Sequence, residues 1–98
     1  MRLTHFEQNM IKKAFIESFE EGRLYLFGSR VDDSKRGGDI DLYIDLDYDL
    51  KIEEVLDKKT TFRLKLYEKI GEQKIDIIVS KDKNRSIEKE ILKTGILL

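Results

Sequence analysis

Three short apolar runs, at 23–27, 40–46 and 74–79, are the sequence feature that most limits how this chain can fold. Their length and their content of β-branched and aromatic residues are typical of strands. Segments with helical apolar spacing lie before, between and after the runs. We therefore predict the order α-β-β-α-β-α, which is an α/β fold with helices packed on a small mixed sheet.

The helical segments are predicted from their apolar spacing and from the residues that flank them. Thr4 begins a capping-box pattern before the first helix, and Gly22 follows that helix as a stop signal. Residues 51–70 have the second helical pattern, which fits either one helix or two helices broken near the middle. The sequence therefore predicts that residues 51–70 are helical and leaves open whether they form one helix or two.

The C-terminal segment has a third helical pattern at about 86–94. Its spacing predicts that Ile87 and Ile91 face the core. The apolar tail at 95–98 has two possible places, because it can pack on the domain's own core or at a subunit interface. An oligomer is thus one of the assemblies that the sequence leaves open.

Length and composition exclude several classes of protein. The 98 residues predict a single domain covering 1–98, and the absence of cysteine excludes disulfides and thiolate–zinc sites. No apolar run approaches the ~20 residues of a membrane span, and no secretory signal is recognisable at the N-terminus. Lys and Arg (19) balance Asp and Glu (20), so direct nucleic-acid binding is not expected. We expect a cytoplasmic protein that does not bind membranes.

The first apolar run ends in Gly28-Ser29, followed by Arg30. Glycine lets the backbone approach a phosphate closely, and N–H groups at the start of a helical turn bind anions. The Ser29 hydroxyl would add one more donor. Gly-Ser is also typical of ordinary turns, so this pair alone does not define a binding site.

Two aspartates begin the second run, and a third lies in the last one. Asp39 and Asp41 are two residues apart, so on a strand their carboxylates would share a face and repel. A shared Mg²⁺ would remove the repulsion, although an exposed polar edge is the alternative explanation. Asp76 lies among apolar residues, where it needs a lysine partner, a solvent-exposed strand end or a metal ion.

Taken in order, these motifs resemble the signature of the polymerase-β-like nucleotidyltransferase superfamily. Residues 24–30 and 38–42 carry most of the resemblance, and residues 74–78 match the place of the third family aspartate. More narrowly, the whole chain resembles the minimal nucleotidyltransferases (MNT) of bacteria and archaea. Those proteins occur as antitoxin or partner subunits of HEPN-domain proteins.

The resemblance implies an enzyme, a Mg²⁺-dependent nucleotidyltransferase that would serve as the antitoxin of a HEPN toxin–antitoxin pair. The implied donor is a nucleoside triphosphate, ATP, and the implied acceptor is a hydroxyl on a HEPN-domain partner, a tyrosine in some family members. The implied catalytic and metal-binding residues are Asp39, Asp41 and Asp76. The implied nucleotide-binding residues are Gly28, Ser29 and Arg30.

The chain departs from the family pattern directly after the serine. Many members have Gly-Ser-x-Ala-Arg-Gly there, whereas this chain has Arg-Val-Asp-Asp at 30–33, which is acidic at the arginine position. Arg30, Lys35 and Arg36 are candidates to replace that cation. A function from another class therefore stays open: a binding module that keeps the fold and neutralises a partner by occlusion, without efficient catalysis.

Overall fold

Three helices and four strands make up the computed structural model, which describes residues 1–34 and 38–98. The helices are α1 (His5–Phe19), α2 (Ile52–Ile70) and α3 (Ser86–Thr94). The strands are β1 (Arg23–Phe27), β2 (Ile40–Asp45), β3 (Ile75–Val79) and β4 (Ile96–Leu97). The predicted α/β class is confirmed, and so are all three predicted strands.

The sheet is mixed and has the order β3-β2-β1-β4. β2 pairs in parallel with β3, whereas β1 is antiparallel to both β2 and β4. In this register Asp41 lies opposite Phe27 on one side and opposite Asp76 on the other. The central position of β2 therefore brings the end of β1 and the start of β3 to the same place.

One face of the sheet is buried under α1 and α2. Alternate strand residues such as Leu42 and Ile44 join the core there, together with three aromatic rings. The rings belong to Phe15, Phe19 and Phe62, and their centroids lie 5.8–6.3 Å apart. This aromatic packing joins α1 to α2 inside the core.

The predicted start of α1 and the predicted helical pattern of α2 are confirmed, whereas the predicted end of α1 is not. The capping box at Thr4 is present, and α2 is one continuous helix. The prediction that Gly22 ends α1 is wrong, because the helix stops at Phe19. Glu20 has a φ of 64° and its N–H still bonds to the Ile16 carbonyl, so this residue makes the exit turn itself.

Helix α3 lies on the opposite face of the sheet and buries different residues from those predicted. Ile91 is buried as expected, but Ile87 is 48% exposed and Glu88 is completely buried. The Glu88 side chain is buried against the sheet because its carboxylate accepts hydrogen bonds from donors of the β3–α3 loop and of the sheet. Those donors are the Tyr43 hydroxyl, the Arg85 Nε and the backbone N–H groups of Lys81 and Asp82.

The C-terminal tail packs within the domain. Residues 96 and 97 form β4 beside β1, and the Leu98 N–H donates to the Leu24 carbonyl at 2.8 Å. Leu98 also packs against the core. Of the two places considered for the tail, the domain's own core is the one observed. Among the described residues, no helix combines the length and the apolar character that crossing a bilayer requires.

Candidate active site

Asp41 and Asp76 lie side by side on the parallel strands β2 and β3. Their neighbours Leu42 and Ile77 are buried in the core, so the two aspartates point to the opposite face of the sheet. Asp76 is exposed, which avoids the cost expected for a carboxylate inside an apolar strand. The structure thus assembles two of the three predicted carboxylates on one open face.

Burial raises the pKa of Asp41 to about 6, helped by a hydrogen bond with the Asp76 carboxyl and by the charges of Asp76 and Asp39. A hydrogen bond between two carboxyl groups needs a proton on one of them. Like charges this close are relieved either by that proton or by a cation. The pair is therefore suited to bind a positive ion near neutral pH.

Asp39 lies just before β2 and takes a different partner. The Lys74 Nζ is 3.4 Å from the Asp39 Oδ2. In the part of the chain that the structure describes, no three His, Cys, Asp or Glu side chains are grouped closely enough to hold one metal ion. Asp41 and Asp76 form the assembled part of the predicted metal site, and the role of Asp39 stays a prediction.

Gly28 begins a short 3-10 turn, Gly28–Val31, which follows β1 and which we call the Gly-Ser turn. Gly28 has a φ of 76°, and a Cβ at this position would overlap the Asp41 carboxylate. Only glycine therefore allows the carboxylate to lie against the turn without strain. A helical turn thus follows the first strand, directly beside the Asp41 carboxylate.

Ser29 lies where the following loop returns to the Gly-Ser turn. Gly38 has a φ of 88°, and a Cβ there would overlap the Ser29 Oγ. The Ser29 hydroxyl therefore lies close to the Gly38 backbone, at the start of the approach to β2. Lys35 and Arg36, two candidates for the missing cation, lie outside the described residues.

Arg30, the third candidate, is bonded to the N-terminal segment and to Gly38. Its Nη1 donates to the Arg2 carbonyl at 2.9 Å, and its Nε donates to the Gly38 carbonyl at 3.4 Å. Arg2 in turn contacts the Gly-Ser turn, because its Nη2 donates to the Ser29 carbonyl at 2.9 Å. Sequence reasoning missed Arg2, since no pattern links it to a turn 27 residues away.

A cavity of about 510 Å³ opens next to the Gly-Ser turn. On its other side it is lined by α3, including Ile87, Glu90 and Thr94. This explains why Ile87 is not in the core: it forms an apolar wall of the cavity instead. A volume of this size is in the range of small-molecule sites.

The residues at this site fit Mg²⁺. Magnesium prefers one or two carboxylates together with phosphate oxygens and water. Asp41 and Asp76 supply the carboxylates, and their mutual repulsion gives the cation a favourable place. The glycine at position 28 leaves room for phosphate close to the same carboxylates.

Comparison with known proteins agrees with this geometry. The chain matches the family model described as polymerase beta, nucleotidyltransferase, over residues 9–98. The match includes the whole sheet and every predicted site residue. The fold and the site define a nucleotidyltransferase domain, and the chain belongs to the polymerase beta nucleotidyltransferase family. None of the curated proteins compared with the chain matches it.

Proposed function

We propose that this chain is a Mg²⁺-dependent enzyme that transfers AMP from ATP to a hydroxyl of a partner protein. We further propose that the partner is a HEPN-domain toxin, that the chain is its antitoxin, and that both act in the cytoplasm. The observation that carries the proposal is the Asp41–Asp76 pair lying against Gly28. It combines a place for a cation with a place for phosphate.

Asp41 and Asp76 would hold the metal, with Asp39 joining them once Lys74 releases it. Bound magnesium would neutralise the charge of the triphosphate and of the leaving pyrophosphate. Gly28 and Ser29 would hold the triphosphate tail against the turn. Positioning and charge neutralisation provide most of the catalysis in reactions of this class.

The transfer is an in-line displacement at the α-phosphorus of ATP. The acceptor oxygen forms a new bond to phosphorus while the bond to pyrophosphate breaks. The acceptor loses its proton, and Asp76 is the carboxylate best placed to accept it because its side chain is exposed. Asp41 is partly buried and held against the turn, so it suits a metal ligand better than a proton acceptor.

The open face around Asp76 supports an acceptor on another protein. A macromolecular hydroxyl can reach an exposed carboxylate on a sheet edge more easily than one at the bottom of a cleft. Since β3 is an edge strand, Asp76 is accessible from the side of the sheet as well as from its face. A tyrosine hydroxyl on a partner subunit fits this accessibility.

The test is the transfer of label from ATP in the presence of Mg²⁺ and a lysate of the native host cell. One reaction carries the label at the α-phosphate and a parallel one at the γ-phosphate. We expect a discrete protein to acquire α-label and no γ-label. Asp41→Asn should abolish the labelling, whereas Asp57→Asn, the same change at an exposed position of α2, should not.

A second candidate function is a binding module that neutralises its partner by occlusion. The Asp39–Lys74 ion pair favours it, because a lysine at this carboxylate competes with a metal ion. In the same experiment, this function predicts no label on any protein while the chain still holds its partner. It also predicts that Asp41→Asn neutralises the partner as well as the wild type does.

A further inference from the structure

We propose that Arg2 is a positioning residue of the nucleotide site, which holds the Gly-Ser turn in shape and brings positive charge to the triphosphate tail. The inference rests on the proposed function and extends it to a residue that the family match does not include. That match begins at residue 9. Arg2 lies outside the matched residues, so its role rests on the contacts it makes in this structure.

The Arg2 guanidinium is bonded to the Gly-Ser turn and to the residue that follows it. Its Nη2 donates to the Ser29 carbonyl at 2.9 Å, and its Nε donates to the Asp32 carbonyl at 3.1 Å. A planar guanidinium makes two such bonds in one fixed geometry, which an ammonium group does not. The two bonds thus hold the Ser29 and Asp32 carbonyls at a fixed separation.

The backbone of Arg2 strengthens this arrangement. The Arg2 N–H donates to the Arg30 carbonyl at 2.7 Å, and the Arg30 Nη1 donates to the Arg2 carbonyl at 2.9 Å. Each of the two arginines therefore donates a hydrogen bond to the backbone carbonyl of the other. The Arg2 Nη2 also lies 3.9 Å from the place where a Cβ on Gly38 would be. Arg2 contacts the turn at the point where the loop returns to it.

The charges around the turn explain why this cation matters. Asp41 lies against Gly28, so an anionic triphosphate placed at the turn would meet the negative charge of the Asp41–Asp76 pair. Arg2 and Arg30 bring two positive charges to the same place. Among the described residues, Arg2 uses two of the five N–H donors of its guanidinium on the Ser29 and Asp32 carbonyls, and other donors of the group can bind phosphate oxygens.

The test compares the wild type with Arg2→Gln, Arg2→Lys and Lys13→Gln, the last of which removes a charge from an exposed position of α1. Isothermal titration with Mg²⁺–ATP, inorganic triphosphate and adenosine gives each Kd, and hydrogen exchange follows the amides of 29–32. Melting curves establish that each variant is folded at the temperature of the titration.

We expect Arg2→Gln to weaken the binding of ATP and of triphosphate about tenfold, which is the effect of one charge-assisted hydrogen bond. Adenosine affinity should stay unchanged, whereas a general loss of structure would lower it as well. Arg2→Lys should lie between the wild type and Arg2→Gln, since it keeps the charge but not the paired bonds. Lys13→Gln should stay within about twofold of the wild type.

Two results would overturn the inference and are distinguishable. Equal triphosphate affinity and equal exchange at 29–32 in the wild type and Arg2→Gln would remove Arg2 from the site while the proposed function stands. A wild type that binds neither ATP nor triphosphate would overturn the proposed function and the inference together. If Arg2→Gln does not fold, Arg2→Lys decides, and unchanged affinity and exchange in that variant would contradict the role.

Discussion

Asp41 lies directly opposite Asp76 across the parallel strands β2 and β3, and the Asp41 carboxylate also lies against Gly28. This relationship joins two elements that are far apart in the sequence into one site. The acidic pair is a poor arrangement for stability and a good one for binding a cation. Its effects on stability, on pH dependence and on metal binding can each be measured.

Asp41→Asn should stabilise the metal-free protein at neutral pH. The unfolded chain loses the Asp41 proton near pH 3.8, but the folded protein loses it only near pH 6, so stability falls as the pH rises between these values. Asparagine has no carboxyl group to lose a proton, so the Asp41→Asn variant does not undergo this fall in stability. In melting experiments with EDTA, the Tm of Asp41→Asn should exceed that of the wild type by a few degrees at pH 7.5. The difference should shrink as the pH falls from 6 toward 4.

Asp57→Asn serves as the control for this measurement, because Asp57 lies on an exposed part of α2. Its Tm should follow that of the wild type at every pH. A lower Tm for Asp41→Asn at pH 7.5 would show that the folded protein favours the charged form of Asp41, contrary to the structure.

Gly28→Ala should abolish nucleotide binding. A methyl group at this position overlaps the Asp41 carboxylate, and the φ of 76° adds backbone strain of about 1 kcal/mol. Gly71→Ala is a matched control, since Gly71 has a φ of 86° but nothing within 4 Å of the added Cβ. Both variants should lose stability in urea unfolding. Only Gly28→Ala should lose ATP affinity, and equal affinities would disconnect Gly28 from the site.

Glu88→Gln should destabilise the protein by about 2–3 kcal/mol in urea unfolding, because a buried carboxylate that accepts several hydrogen bonds is replaced by a neutral amide. Burial by itself raises the pKa of Glu88. The hydrogen bonds from the Asp82 N–H, Tyr43 and Arg85 lower that pKa by more, so it lies below its usual value. Its stabilisation is therefore present at neutral pH and is lost as the pH falls through the folded pKa.

The difference between the wild type and Glu88→Gln should accordingly be greatest near pH 7 and should decrease below about pH 4.5. Glu90→Gln, the same change at an exposed position of the same helix, should alter stability by less than about 0.5 kcal/mol. A cost at Glu88 no larger than at Glu90 would contradict the account of how α3 is attached to the sheet.

Lys74→Met should tighten the binding of Mg²⁺ or Mn²⁺ several-fold, because it removes a cation that competes for Asp39. A metal titration followed by calorimetry measures this directly. Lys13→Met, on an exposed part of α1, should leave metal affinity unchanged. Weaker metal binding in Lys74→Met would mean that the lysine supports the site instead of competing for it.

Most of the fold could be predicted from local patterns in the sequence. The capping box at Thr4 and the strand patterns depend on neighbouring residues, so they were recognised correctly. β4 was missed because two residues, 96–97, are too few for a strand pattern and form one only by pairing with β1. The end of α1 was misplaced because Glu20, a residue rarely found with positive φ, makes the turn.

For the candidate site, the sequence indicates residue types suited to the chemistry, but it does not predict which of them are in contact. Asp41 and Asp76 were recognised by their chemistry, but their pairing depends on the order of strands, which the sequence does not specify. The burial of Glu88 and the contact of Arg2 with Ser29 depend on residues distant in the chain. Helical spacing of apolar residues predicts Ile87 in the core. It gives no sign that Glu88 is buried instead, because that burial depends on hydrogen bonds to the carboxylate.

The most direct test of the central claim is nucleotidyl transfer itself, measured with α-labelled ATP, Mg²⁺ and a native lysate. The wild type, Asp76→Asn and Asp57→Asn are compared at equal concentrations after each is shown to be folded. The account predicts that the wild type and Asp57→Asn label one protein and that Asp76→Asn, which lacks the exposed carboxylate of the pair, does not. Labelling by Asp76→Asn at the wild-type rate, or none by the wild type, would contradict it.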